Sequence, residues 1–198
     1  MLRILLIAPL LALVPVPSLH AQGNTSPAKP DLPALIECRG QLPEFVALAP
    51  ALQDPLQAVA LGWQPLPQAN MFMTEFRLAA PIRVFGHDTD HIAFAGESVM
   101  AVLDLPDPRP LARQLELETA IDTPDKAMFG KEVHSEETHD AESGLTLIES
   151  IVLNVSNVSS HPGKTLVGCS YSLDMPEDED ETPESLPELP VTPSAAPD

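Results

Sequence analysis

The feature of this sequence that most constrains its fold is an alternation of apolar and polar residues with a period of two, clearest over residues 76–84. Its apolar positions are Phe76, Leu78, Ala80, Ile82 and Val84. Because successive side chains of a β-strand point to opposite faces, this pattern predicts a strand with one buried face. Pro81 has no N–H to donate to a ladder, so the strand is predicted to lie at a sheet edge or to bend there.

Other segments carry strand patterns of the same kind. Further strands are predicted over residues 34–39, 91–103, 131–139, 145–156 and 165–173. The segment 91–103 is apolar on both of its alternating faces, which predicts a central strand covered on both sides. The two segments on either side of residues 140–144 predict a hairpin. Residues 86–91 are predicted to be the loop of another hairpin.

Short helices are predicted where a capping side chain precedes a proline. The pairs are Asp54-Pro55, Asp107-Pro108 and Thr123-Pro124. The capping oxygen accepts a backbone N–H, and proline at the first helical position loses no hydrogen bond. Leu56, Val59 and Ala60 would form the apolar face of the first helix. The predicted fold class is therefore α+β, a mainly antiparallel sheet with a few short helices in a single domain.

The two ends of the chain differ in composition from this patterned region. Residues 1–21 combine Arg3, an apolar run and a small residue before Gln22, which is typical of a secretory signal peptide. A membrane span needs roughly 20 apolar residues, and this run is shorter and interrupted by prolines. Residues 22–33 predict a flexible leader, and residues 34–173 predict the single α+β domain.

The tail, residues 174–198, is rich in proline and acidic residues and has no basic residue. Such a segment buries too little apolar surface to offset its ordering entropy, so it is predicted to be disordered. The tail is either an interaction arm or only a solvating segment.

The chain has two cysteines, Cys38 and Cys169. In an oxidising compartment an even number of cysteines predicts a disulfide, which here would close the domain. Chain-entropy theory assigns a cross-link across so long a loop up to about 5 kcal/mol. The alternative is a pair of unpaired buried thiols.

The formal net charge is −19. Nucleic acid is excluded as an expected ligand, because binding it needs clustered Lys and Arg. The charge predicts a basic partner, such as a periplasmic or cell-wall-associated protein. The alternative is that the charge only keeps the protein soluble.

The segment GHDTDH, residues 86–91, is the one candidate metal site. Two imidazoles, His87 and His91, with the carboxylates of Asp88 and Asp90, would satisfy zinc or nickel. The other interpretation is a plain turn, because glycine and the Asp-Thr-Asp run are themselves turn-forming.

Two further motifs resemble catalytic signatures and lack a required residue. The segment HPGKT, residues 161–165, would need glycine where Val158 stands to be a phosphate-binding loop. The segment AGESVM, residues 95–100, would need glycine in place of Met100 to be a hydrolase elbow. The sequence therefore predicts no catalytic residue and no cofactor.

Four segments, ALGWQPLP (60–67), PIRVFG (81–86), IAFAGESVMAVL (92–103) and LNVSNVSSHPGKTLVGCSYSL (153–173), resemble uncharacterised exported proteins of Gram-negative bacteria. The resemblance implies a periplasmic or secreted location and carries over no catalytic residue. The expected function is that of a non-enzymatic periplasmic or secreted binding or interaction protein, in a sharper form a modulator of a basic envelope protein. The alternative is a metal-dependent enzyme or metal carrier that uses the His87–His91 loop.

Overall fold

The computed structural model describes residues 29–139 and 144–176. The predicted signal peptide lies outside these residues, as do most of the predicted leader and most of the predicted tail. The described residues form an eight-stranded antiparallel sheet with a few short helices, which confirms the coarse fold class. The domain boundaries and the disorder of the tail stay predictions.

The strands follow one another as two meanders that meet in the middle of the sheet. In chain order they are β1 (Trp63–Pro65), β2 (Thr74–Val84), β3 (His87–Ala95), β4 (Ser98–Leu103), β5 (Glu118–Asp122), β6 (Ala127–His139), β7 (Thr146–Ser156) and β8 (Thr165–Asp174). The spatial order is β1-β2-β3-β4-β8-β7-β6-β5. The pairing of β4 with β8 joins the meanders and places the last strand at the centre.

Short helices cover one face of the sheet. They are α1 (Leu32–Ile36), α2 (Leu42–Val46), α3 (Ala49–Gln53), α4 (Pro55–Ala60) and α5 (Arg109–Gln114). The main core lies between this layer and the sheet, where residues of alternating strand positions such as Phe76, Ile92 and Val167 meet Leu35 and Leu111. None of the described helices is long and apolar enough to cross a membrane.

The predicted disulfide is present and joins Cys38 to Cys169, with 5.4 Å between the Cα atoms. The predicted first strand over residues 34–39 is wrong, because this segment belongs to α1 and the turn that follows it. The Asp31 carboxylate accepts the N–H of Ala34 at 3.1 Å, and Pro33 occupies the first turn, which is helix-starting chemistry. The disulfide therefore ties the turn after α1, not a strand, to β8.

The predicted loop over residues 86–91 is wrong, because the turn between β2 and β3 consists of Phe85 and Gly86 alone. Both residues have positive φ, 49° and 84°. Two successive residues in this region make the tight hairpin turn that matches strand twist, so the chain re-enters the sheet at His87. The predicted strand 91–103 is likewise divided, by a turn at Gly96, into β3 and β4.

The proline-capped segments have different outcomes. The Asp54 carboxylate accepts the N–H of Leu56 at 2.9 Å and begins α4 as predicted, but Ala58 is the buried residue and Leu56 is 78% exposed. Thr123 begins no helix; its backbone N–H donates to the carbonyl of Lys126 at 2.8 Å and closes the β5–β6 hairpin. Pairing of the flanking strands overrides the local capping preference there.

The second face of the sheet carries a smaller core. Met73, Ala93, Val102 and Leu166 are buried there, with Val158 packed against them. Met73 and Val158 come from two connections, residues 66–73 before β2 and residues 157–164 before β8. These two loops cover the second face at the position where the candidate site lies.

Candidate functional site

Two neighbouring strands place a carboxylate and an imidazole on the second face. Glu75 of β2 lies opposite Ala93 of β3, and His91 is two residues before Ala93 on the same face. Diagonal neighbours on adjacent strands are within reach of long side chains. The Oε2 atom of Glu75 accepts a hydrogen bond from Nε2 of His91 at 2.8 Å.

The connection between β7 and β8 brings a second imidazole to the same carboxylate. A turn from Val158 to Lys164 lays His161 on the sheet, with its backbone N–H donating to the carbonyl of Val158 at 3.0 Å. Gly163, with φ 73°, permits the chain to reverse there. The Nε2 atom of His161 donates to Oε2 of Glu75 at 2.9 Å.

The three side chains form one compact, largely buried cluster, called here the Glu-His-His cluster (Glu75, His91 and His161). One nitrogen or oxygen of each lies within 4.8 Å of those of the other two. Glu75 is 5% exposed and His161 9%, whereas the side chain of His91 is 21% exposed. The cluster is therefore closed on the sheet side and reached from solvent through His91.

The second oxygen of the Glu75 carboxylate, Oε1, has no hydrogen-bond partner. It is one of two such buried side-chain atoms in the described part of the chain, the other being Nε1 of Trp63. Leaving a buried polar atom unsatisfied costs about 1–3 kcal/mol, and more for a charged group. An oxygen of this kind can still accept a hydrogen bond or bind a cation.

A chain of hydrogen bonds continues behind His161. The Nδ1 atom of His161 lies 3.0 Å from Oγ of Ser160, and Nδ2 of Asn70 donates to that Oγ at 3.2 Å. Asn70 belongs to the loop before β2, so this contact links the two loops over the second face. The Oδ1 atom of Asn70 accepts the N–H of Phe72 at 3.0 Å and holds the loop in its turn.

Two imidazoles and one carboxylate are a donor set that zinc takes in proteins. With bonds of about 2.0–2.2 Å, two ligands of a tetrahedral zinc ion lie about 3.4 Å apart, within the span that the cluster occupies.

The arrangement Ser160, His161, Glu75 also has the hydrogen-bond order of a hydrolytic triad. A cavity of about 530 Å³ on the helical face is lined by other residues, among them Leu35, Leu48 and Leu61.

The structure separates the four residues of the sequence-predicted metal site. His91 lies in the Glu-His-His cluster, whereas the Asp88 carboxylate lies 3.3 Å from Nη1 of Arg83 and the Asp90 carboxylate 3.9 Å from Nη1 of Arg77.

His87 is the first residue of β3 and lines a cavity of about 260 Å³ beside α5 with Leu111 and Gln114. Metal binding by His87, Asp88, Asp90 and His91 together stays a prediction.

Sequence reasoning missed Glu75 and His161. Glu75 stands at an outward position of an alternating strand, and His161 stands in a turn, so each has an ordinary local explanation. The sequence pattern that could have indicated a buried Glu75 is the segment 92–103, which is apolar on both of its alternating faces. A second covered face implies that an acidic residue beside it is buried and needs a partner.

No protein-family model matches this chain, and neither a curated protein nor a solved structure shows significant similarity to it. The interpretation of the site therefore rests on its own geometry.

Proposed function

We propose that this chain is a non-enzymatic metal-binding protein of an oxidising, extracytoplasmic compartment. Its ligands to a divalent transition-metal ion such as zinc are Glu75, His91 and His161. The observation that carries the proposal is the buried carboxylate of Glu75, which faces two imidazoles and has one oxygen without a partner. The Cys38–Cys169 disulfide is compatible with the compartment.

The hydrogen bonds of the metal-free cluster explain why a cation is favoured. Both imidazoles donate to the same oxygen, Oε2, so the other oxygen of the carboxylate, Oε1, receives no hydrogen bond. A divalent ion bound between the carboxylate and the two imidazoles would place a positive charge beside the carboxylate, where the metal-free cluster has only N–H groups. In a buried site this attraction is stronger than it is in water.

Burial favours binding over catalysis. Glu75 and His161 lie under the two loops, and only His91 has appreciable side-chain exposure. A catalytic zinc site keeps an open position and a space for substrate beside it. Three protein ligands would leave a fourth position open here, but four cavities of the described residues, lined among others by Leu48, Ala80 and Gln114, include no residue of the cluster.

The test is zinc and nickel titration of the oxidised, chelator-treated protein by calorimetry at neutral pH. We expect one ion per chain, and at least tenfold weaker binding after Glu75→Gln or His91→Ala, because each removes one ligand. His91→Ala changes a partly exposed residue and keeps the test informative if Glu75→Gln fails to fold.

The matched control is His87→Ala, which removes a histidine from the same strand outside the cluster. We expect it to bind as the unchanged protein does. Absence of stoichiometric uptake by the unchanged protein would overturn the proposal, and so would loss of uptake in His87→Ala. The second result would favour the site predicted from residues 87–91.

We propose as a second candidate that the protein takes a basic partner at the open edge of β6. Among the described residues, β6 is paired on this edge only by β5 and only as far as Gly130. Residues 131–139 beyond it are mostly exposed and carry Glu132, Glu136 and Glu137. An unpaired strand edge can add a strand from another chain, and the acidic side chains would select a basic one.

A synthetic nonapeptide of alternating lysine and valine is the probe for this second candidate. Changing Glu132, Glu136 and Glu137 to Gln should weaken its binding at least tenfold. Changing Asp88 and Asp90 to Asn and Glu97 to Gln removes equal charge from β3 and the turn after it, in the other meander, and should have a smaller effect. Equal effects of the two triple variants would contradict the edge as the binding surface.

A further inference from the structure

We infer that Ser160, held in place by Asn70, is a positioning residue that lets His161 bind the metal through Nε2. The inference rests on the proposed function and deepens it, because it names what controls affinity at the Glu-His-His cluster. It is carried by the hydrogen bonds that run from Asn70 through Ser160 and His161 to Glu75.

The direction of these hydrogen bonds follows from the acceptor at one end. A carboxylate oxygen accepts hydrogen bonds, so the 2.9 Å contact between Nε2 of His161 and Oε2 of Glu75 places the donor on Nε2. In a neutral imidazole the other nitrogen, Nδ1, is then an acceptor, and the hydroxyl of Ser160 donates to it. Asn70 in turn donates its amide N–H to Oγ of Ser160.

Metal binding reverses one link of this chain. A metal ion takes the lone pair of Nε2, so that nitrogen releases its proton to water and Nδ1 takes one up. The neutral imidazole keeps one proton in total. The Nδ1–H group then needs an acceptor, and Oγ of Ser160 at 3.0 Å is the atom in position. Metal-bound histidines commonly donate their second N–H in this way, which fixes the ring and strengthens the ligand.

Ser160 is suited to this reversal because a hydroxyl both donates and accepts. Its side chain is partly buried, so its own O–H can turn towards solvent when Nδ1 becomes the donor. The amide of Asn70 keeps donating to Oγ in both states and holds the oxygen in place. A methyl group at this position would leave the Nδ1–H of the bound state without an acceptor.

The experiment compares zinc affinity of the full chain with Ser160→Ala, Ser160→Thr and Ser98→Ala, by competition with a chelator of known affinity. Ser160→Ala should bind zinc about 10–100-fold more weakly, the usual effect of removing a partner of a metal-bound histidine. Ser160→Thr keeps the hydroxyl and should bind within about threefold of the unchanged protein, on the same principle.

Ser98→Ala is the matched control, because Oγ of Ser98 bonds to Oγ of Ser170 and is not part of the Glu75–His161 hydrogen-bond chain. It should bind zinc as the unchanged protein does. Equal losses in Ser160→Ala and Ser98→Ala would overturn the inference, since the effect would then be general destabilisation.

A spectroscopic measurement separates positioning from packing. The ¹⁵N chemical shifts of the His161 ring should report a proton on Nε2 in the metal-free protein and on Nδ1 after zinc is added. A proton on Nδ1 in the metal-free protein would overturn the inferred direction. No zinc uptake by the unchanged protein overturns the proposed function with this inference, whereas uptake with unaltered Ser160→Ala affinity overturns the inference alone.

Discussion

Tyr171 shows how one buried residue links the sheet to the helical layer. Its hydroxyl donates to the carbonyl of Leu35 at 2.7 Å, and its ring stacks on Phe45 with 5.1 Å between the centroids. Burial, with a smaller contribution from the negative charge of Glu44, raises the pKa of Tyr171 to about 12. The ionised phenolate is therefore disfavoured in the folded protein.

We predict that the free energy of unfolding falls as the pH rises from about 10 to about 12. The unfolded tyrosine has a pKa of about 10, so in this window the folded state binds more protons and loses stability as they are removed. Tyr171 is the single tyrosine of the chain, so absorbance at 295 nm reports its ionisation directly. A native-state midpoint near 10 would contradict the prediction. In Tyr171→Phe this part of the alkaline loss should be absent.

At the scale of elements, β8 is a central strand that is packed on both sides by neighbouring backbones. Gly168 lies opposite Met100 of β4 and Asn154 of β7. A Cβ atom added to Gly168 would lie 2.6 Å from the Cα of Met100. Glycine at this position therefore allows β4 and β8 to approach closely.

We predict that Gly168→Ala lowers the free energy of unfolding by about 3 kcal/mol, because overpacking against backbone cannot be relieved by a rotamer change. Gly86→Ala is the control. Its Cβ would meet open space, and its φ of 84° alone should cost about 1–2 kcal/mol. Urea unfolding measures both variants. If Gly168→Ala lowers the free energy of unfolding no more than Gly86→Ala does, the close approach of β4 and β8 is not what requires glycine at position 168.

At the scale of the whole molecule, two connections hold the meanders together. One is the hydrogen-bonded pairing of β4 with β8, and the other is the Cys38–Cys169 disulfide, which spans 131 residues of sequence. Because so long a loop has many conformations when open, the cross-link chiefly restricts the unfolded chain. The disulfide is therefore expected to raise the free energy of unfolding of the domain mainly through its effect on the unfolded chain.

We predict that reduction of the disulfide lowers the free energy of unfolding by about 2–5 kcal/mol. Urea unfolding with and without a phosphine reductant measures the difference. The double variant Cys38→Ala, Cys169→Ala should match the reduced protein, because both lack the cross-link. An unchanged midpoint on reduction would indicate that the meanders are held by the sheet alone.

Local patterns predicted several strands well. The alternation over residues 76–84 and the strand patterns that became β7 and β8 are properties of adjacent residues, which the pleat of a strand converts directly into buried and exposed faces. Capping motifs were less decisive. Asp54-Pro55 begins a helix, whereas Thr123-Pro124 lies in a hairpin turn, because the strand before Thr123 pairs with the strand after it.

From the sequence alone it was possible to predict the class of sheet, the disulfide as one of two alternatives, and one member of the candidate site, His91. The tertiary structure alone decided that Glu75, 16 residues away, and His161, 86 residues beyond Glu75, share one buried cluster with it. Strand formation depends on local sterics and on apolar period. The meeting of distant side chains depends on the register of β2 against β3 and on which loop covers the second face, and both are set by long-range packing.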